Sequence, residues 1–315
     1  MVDQARTEAV ATPASPAAPS APPDLALVRA AVAAATGRDA TTVRRLPGSI
    51  ANVDFLVDLV DATRVVLKTG PISEIAAEAW TCRRLSASGF PVPTPLAVAT
   101  GGADLGRPYL ILSFVDGDAS EDPRVAYEAG TWFRRLHTEE LPGWGPLLPL
   151  ADGSAHGRYD SPRQSVAAEL AVVPDLIAAG VIDRSLAAAA TALVRVDALL
   201  EPASAGVLLH HDLKPAHLFG RSDGGRARLS SVIDWGDARV GDPLADLARL
   251  SMSGPSVTTA FLDGYGLEAT GEISDTLARY RLLWNLSALG YEHRAGGDWF
   301  DVYRDRVRDD IDRLT

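Results

Sequence analysis

The sequence predicts an α+β fold. Strand-prone runs collect in the first third, Ala-rich amphipathic helices fill much of the remainder, and a strand-turn-strand unit lies within the helical part. Residues 43–70, VRRLPGSIANVDFLVDLVDATRVVLKTG, hold three β-prone runs broken at Gly48-Ser49 and at Asp61-Ala62-Thr63, a meander pattern. PVPTPLAVAT and PYLILSFVDGD add two strands, the second ending in Asp116-Gly117. Further on, VLL leads to Asp212 and LSSVI to Asp234, with Asp223-Gly224-Gly225 as a hairpin turn between them. Both acids are therefore expected at the ends of paired strands and close in space, although a strand-end Asp is also an ordinary cap or turn former.

At 315 residues the chain can build one large domain or two modest lobes. Its 47% hydrophobic and 23% charged content is that of a globular protein, and a net charge of -11 argues against a nucleic-acid partner while permitting a cationic small one. Cys82 is the only cysteine, so no intramolecular disulfide forms, and its helical setting predicts packing. No apolar run approaches the roughly 18 residues of a membrane span and no secretory signal is evident, so a cytoplasmic protein without a membrane partner is expected.

Residues 1–23, with five prolines among Ala and Ser, predict a disordered leader. Asp24 caps a predicted helix, LALVRAAVAAAT, that Gly37 ends. Lys68 lies in the apolar strand RVVLKTG, where it needs either a solvated face or an anionic partner. Glu78, on the predicted helix SEIAAEAWTCRRLSASG, is placed to supply that partner, with Glu74 as competitor. A helix ends at Leu136-His137, where His137 is expected to cap or pack near Asp212. Helices are expected over residues 160–200, and again over 274–314 with a break at GGDWF.

HHDLKPAHLF followed by VIDWGDARVGDPLADLA resembles the aminoglycoside phosphotransferase family, the small-molecule branch of protein-kinase-like enzymes. The resemblance implies a two-lobe protein-kinase-like fold. Residues 24–115 would form a nucleotide-binding lobe of antiparallel sheet with one helix, and residues 116–315 a mainly helical catalytic lobe with a catalytic β-hairpin. It implies transfer of the γ-phosphoryl group of ATP or GTP to a hydroxyl of a small molecule, expected to be an antibiotic, with Mg²⁺ or Mn²⁺ as cofactor. Choline, homoserine, methylthioribose and fructosamine kinases share the same pattern.

By the same resemblance Asp212 orients the attacking hydroxyl, Lys214 reaches the γ-phosphate and Asp234 holds the metal. Lys68, paired with Glu78, binds the α- and β-phosphates. Gly48, Ser49 and Asn52, in the loop GSIAN, cover the nucleotide, while plain turn chemistry accounts for that loop equally well. Ser113 and Val115 offer main-chain contacts to the base. Asp242 and Asp246 brace the catalytic loop.

Two departures stand out. His217 occupies the position of the family's metal-binding Asn, which either weakens one metal site or shifts its preference from Mg²⁺ toward a softer ion such as Mn²⁺. His211 stands where Gly is common and is expected to touch substrate. Trp284, Tyr291, Glu292, Asp298 and Trp299 are candidate substrate-wall residues, and packing or a solvated face explains each equally well. A metal-dependent phosphohydrolase built on His210, His211, Asp212 and His217, and a nucleotide-binding pseudokinase, are the competing readings.

Overall fold

The computed structural model describes residues 22–47, 53–100, 105–202 and 204–315. Most of the expected leader, and the loop carrying Gly48, Ser49 and Asn52, lie outside them. Helix α1 (Leu25–Thr36) begins where Asp24 Oδ1 accepts from Ala26 N at 2.8 Å, and ends where Gly37 takes the left-handed conformation, as its sequence predicts.

Five strands follow: β1 (Ala40–Arg45), β2 (Val53–Leu59), β3 (Arg64–Thr69), β4 (Pro95–Ala99) and β5 (Tyr109–Ser113), with α2 (Ile72–Ala87) between β3 and β4. They form one antiparallel sheet in the order β1-β2-β3-β5-β4. Period-2 alternation sorts the faces. Phe55, Val57, Val65, Leu67 and Ile111 join Val28 and Val32 of α1 in one core, whereas Leu110 and Leu112 pack with Ile75 and Ala79 of α2 on the other side.

Past β5 the chain crosses through Asp116 and Gly117 into β6 (Asp118–Ala119) and α3 (Pro123–Leu136). Gly117 has φ 129, and a Cβ there would sit 2.6 Å from the carbonyl oxygen of Gly220, so only glycine fits this crossing. Then come β7 (Trp144–Pro149), β8 (Ala155–Tyr159), α4 (Pro162–Leu170), α5 (Val173–Ala178), α6 (Arg184–Val194) and α7 (Asp197–Leu200). The stretch around the two acids comprises β9 (Val207–Leu209), a 3₁₀ turn (Pro215–His217), β10 (Leu218–Asp223), β11 (Arg226–Val232) and β12 (Arg239–Gly241). Helices α8 (Leu244–Leu250), α9 (Pro255–Tyr265), α10 (Gly271–Ala295) and α11 (Phe300–Leu314) complete the chain, with the predicted break between α10 and α11.

One expectation requires correction. The strands leading into Asp212 and Asp234 are not paired with each other, because β9 pairs with β12 while β11 pairs with β10. The acids meet because the chain after Asp212 turns through the 3₁₀ segment into β10, and Gly224-Gly225, both at positive φ, fold β11 back beside it.

The core under this unit is aromatic. Trp235, fully buried and next to Asp234, stacks on Phe133 with ring centres 6.1 Å apart, and Phe90 meets both edge-on. Cys82 packs in the same cluster. The crossing of α3 over α9 depends on Gly130 and Gly264: a Cβ on either would lie 2.1 or 2.0 Å from a carbonyl oxygen of the facing helix.

Candidate active site

Four elements place charged groups around one point. From β3, Lys68 Nζ lies 3.0 and 2.7 Å from the two carboxylate oxygens of Glu78 on α2, and 2.7 Å from Asp234 Oδ1. Lys68 is 9% exposed and Glu78 2%. Burial by itself would drive the proton off Lys68, but Asp234, Glu78 and Asp54 outweigh it and hold the ammonium well above its ordinary range. The same lysine, working against burial, keeps the Asp234 carboxyl well below the usual carboxylate range.

Asp54 on β2 was not foreseen. It is the cross-strand partner of Lys68, so both project toward the α2 side. Its Oδ1 is buried with no hydrogen-bond partner among the described residues, and burial pushes its carboxyl up to about 6. The alternation in VDFLVDL carried the signal, since it sets Asp54 opposite the face of Val53, Phe55 and Val57.

The Asp212 loop is pinned from beneath. The Asp246 carboxylate accepts from His210 N at 2.8 Å and from His211 N at 2.6 Å, while His137 Nε2 sits 3.3 Å from the same carboxylate. Asp242 accepts from Leu244 N at 2.9 Å and from the Tyr280 hydroxyl at 3.1 Å. Asp242, Asp246 and His137 thus brace the loop and the start of α8. His211 and Asp234 are non-glycine residues at φ 67 and 68, and such conformations persist only where their surroundings over-determine them.

Asp212 carries two cations. Lys214 Nζ is 2.7 Å from Oδ2, and Arg249 reaches Oδ1 with Nε at 2.9 Å and Nη2 at 2.8 Å. Burial opposes the charged form, but the Arg249 and Lys214 cations outweigh it and lower the Asp212 carboxyl below its ordinary range. Arg249 was also missed by sequence reasoning; its only signal was an Arg three residues after Asp246 on a buried helix.

His217 sits between the acids. Its Nδ1 lies 2.9 Å from the Asp212 carbonyl oxygen, which can only accept, so Nδ1 carries the hydrogen. Its Nε2 lone pair therefore faces Asp234 Oδ2 at 3.2 Å. Burial lowers the imidazole to about 4, leaving it neutral at pH 7. Two electron-pair donors at this separation fit adjacent ligand positions on a divalent cation lying to one side of both. The other histidines are engaged elsewhere: His210 Nε2 with the Ile233 carbonyl at 2.9 Å, and His211 Nδ1 with Asp237 Oδ2 at 2.7 Å. Among the described residues no three His, Cys, Asp or Glu side chains converge on one point as metal ligands.

Of the two expected main-chain contacts, Ser113 has its N–H committed to the Thr94 carbonyl at 2.8 Å, and Val115 follows two residues on. Of the wall candidates, Trp284 comes to the site, donating from Nε1 to the His211 carbonyl at 3.1 Å. Trp284 and His211 line a narrow cavity of about 50 Å³ between strands β7 and β12 and helices α4 and α10, together with Trp144, Glu169, Arg239 and Tyr280. Glu292 is buried with Oε2 unpartnered among the described residues, while Asp298 and Trp299 are exposed, Trp299 by 57%.

A family model described as "Phosphotransferase enzyme family" matches residues 42–283. A search of curated proteins finds no match. Among solved structures, the aminoglycoside phosphotransferase APH(4)-Ia superposes with a TM-score of 0.69 at 18% identity, covering 93% of this chain and 100% of that one. A putative fructosamine-3-kinase from Thermobifida fusca YX-ER1 gives 0.66 at 21%, covering 90% and 98%. The GDP and kanamycin complex of APH(2")-IIia gives 0.67 at 15%, with the same coverage.

Proposed function

We propose that this chain, which belongs to the phosphotransferase enzyme family, transfers the γ-phosphoryl group of ATP or GTP to a hydroxyl of a small molecule, with an antibiotic as the acceptor class. The observation that carries the reading is the buried Lys68 ammonium held jointly by Glu78 and Asp234, with Asp212 across the His217 imidazole from Asp234.

Phosphoryl transfer asks for positioning and charge compensation more than covalent chemistry. Lys68 binds the α- and β-phosphate oxygens, and Glu78 keeps it extended toward them. Asp234 and His217 Nε2 would hold Mg²⁺ or Mn²⁺, which would compensate charge on the phosphates. Asp212 accepts a hydrogen bond from the acceptor hydroxyl and orients its oxygen. As that oxygen bonds to the γ-phosphorus, the bond from phosphorus to the β-bridging oxygen breaks and the nucleoside diphosphate leaves with the electron pair. The hydroxyl proton ends on Asp212. Lys214 moves from Asp212 to the γ-phosphate when nucleotide is present, and Val115 contacts the base. The lobes divide near residue 115, and the enzyme works in the cytoplasm.

The solved structures this chain resembles include an aminoglycoside phosphotransferase and a putative fructosamine-3-kinase, so a metabolic sugar or amino-alcohol kinase is the second reading. A nucleotide-consumption assay with ATP and GTP, Mg²⁺ and Mn²⁺, run over aminoglycoside, macrolide, nucleoside and cyclic-peptide antibiotics and over fructosamines, tests both. Mass detection of an added phosphate on an antibiotic supports the first reading, and one on a fructosamine the second. Asp212→Ala should lower turnover about 10²- to 10⁴-fold with nucleotide affinity nearly unchanged. Equal turnover in that variant removes Asp212 from the mechanism.

A further inference from the structure

We propose that Arg249 is the positioning residue for the Asp212 carboxylate, and that Trp284 is the platform that holds it in place. The inference rests on the phosphotransferase reading above.

Arg249 projects from α8, an element separate from the catalytic loop. Both its Nε and Nη2 go to one oxygen, Asp212 Oδ1, at 2.9 and 2.8 Å. Its guanidinium lies over the Trp284 ring with Cζ 4.1 Å from the ring centre. A buried guanidinium is costly unless its charge is met, and here the carboxylate and the ring face meet it together. Trp284 is fixed in turn, because its Nε1 donates to the carbonyl of His211, the residue immediately before Asp212. Tyr303 of α11 closes the outer edge of Trp284, ring centres 6.0 Å apart. One side chain of α10 therefore secures both the backbone leading into Asp212 and the cation on its carboxylate.

The two cations on Asp212 differ in freedom. The Lys214 side chain is 32% exposed and Arg249 9%. Lys214 is short of packing and can leave for an incoming phosphate, whereas Arg249 is clamped between Asp212 and an aromatic face. That asymmetry divides the carboxylate: Oδ1 stays with Arg249, and Oδ2 becomes open to the acceptor hydroxyl once Lys214 moves. A carboxylate free to rotate would present its lone pairs over a range of directions, and misplacement by about 1 Å costs on the order of 10² in rate. The same ring of Trp284 borders the narrow cavity beside His211.

The test uses the full chain. Arg249→Met keeps the aliphatic stem and removes the charge, Arg249→Lys keeps the charge without the two-pronged contact, and Trp284→Phe keeps a ring without the donor. Turnover is read with the acceptor found above, or with water as acceptor through basal nucleotide hydrolysis, and affinity with the fluorescent nucleotide mant-ATP. We expect kcat to fall about 100-fold in Arg249→Met. The mant-ATP Kd and acceptor KM should stay within about twofold, and Arg249→Lys should recover part of the loss.

The deciding measurement is the double-mutant cycle with Asp212→Asn. Arg249→Met should have little further effect on turnover in that background, and the melting temperatures of the four proteins should be non-additive. Additive losses in the cycle, or an Arg249→Met variant with intact kcat and altered KM, overturn the proposal. If Asp212→Asn alone leaves turnover unchanged, the phosphotransferase role of Asp212 falls, while the melting cycle still decides whether the contact exists. Should Arg249→Met fail to fold, Arg249→Lys and Trp284→Phe carry the same cycle.

Discussion

Asp54→Asn should make the protein more stable at neutral pH and leave it nearly unchanged in acid. Asp54 faces Lys68 across the β2-β3 ladder, with Oδ1 buried and unpartnered among the described residues. Burial raises its carboxyl from 3.8 to about 6, with Lys68 offsetting part of the rise and Asp234 adding to it. The folded protein thus holds the Asp54 proton more tightly than the unfolded chain does, so stability falls as pH rises between about 4 and about 6. A shift of about 2 pH units corresponds to about 3 kcal/mol of native stability forgone above pH 6. Asn is close in shape to the protonated acid and carries no charge, so the variant should match the parent near pH 4. Near pH 8 it should exceed the parent by up to about 3 kcal/mol, several degrees in melting temperature. Thermal unfolding followed by circular dichroism at pH 4.5, 6 and 8 reads the effect directly. A melting difference independent of pH, or an Asn variant that is less stable at pH 8, refutes the reasoning.

Other expectations follow from the same geometry. Asp234→Ala should abolish metal-dependent nucleotide binding measured by titration calorimetry with and without a chelator, and retained Mg-ATP affinity contradicts its assignment as a metal ligand. His217→Asn replaces a nitrogen donor by an oxygen, so the ratio of Mn²⁺ to Mg²⁺ affinity, read by displacement of paramagnetic Mn²⁺, should fall. An unchanged ratio means the imidazole does not touch the ion. Gly130→Ala should destabilise the chain by about 1–3 kcal/mol, because its Cβ would lie 2.1 Å from the Phe261 carbonyl, whereas the same change in an open helix stabilises by about 1 kcal/mol. A melting temperature at or above that of the parent would show that α3 and α9 can part at no cost.

Much of the fold was legible because it is written in local rules. Asp24 and Gly37 bound α1, β-prone runs mark β2, β3 and β5, and Gly224-Gly225 makes the hairpin turn; each depends on neighbours a few residues away. The grouping of the candidate site was legible from the resemblance, which set Asp212, Lys214 and His217 beside Asp234, and from the need of one buried cation for an anion, as with Lys68 and Glu78. The supposed pairing of the strands before Asp212 and Asp234 failed because alternation says that a strand exists but not which edge it joins.

What the sequence by itself determined is the set of elements and the chemical inventory of the stretch from His210 to Asp234. Only the tertiary structure decided which charges share a partner. Asp54 lies 14 residues before Lys68 and Arg249 lies 37 after Asp212, and neither spacing carries a period that local geometry recognises. Asp54 reaches the site through the β2-β3 register, and Arg249 through the packing of α8 beneath the loop and of α10 against it. Those contacts follow from burying apolar faces whose partners are distant in the chain, so the charges meet as a consequence of core packing.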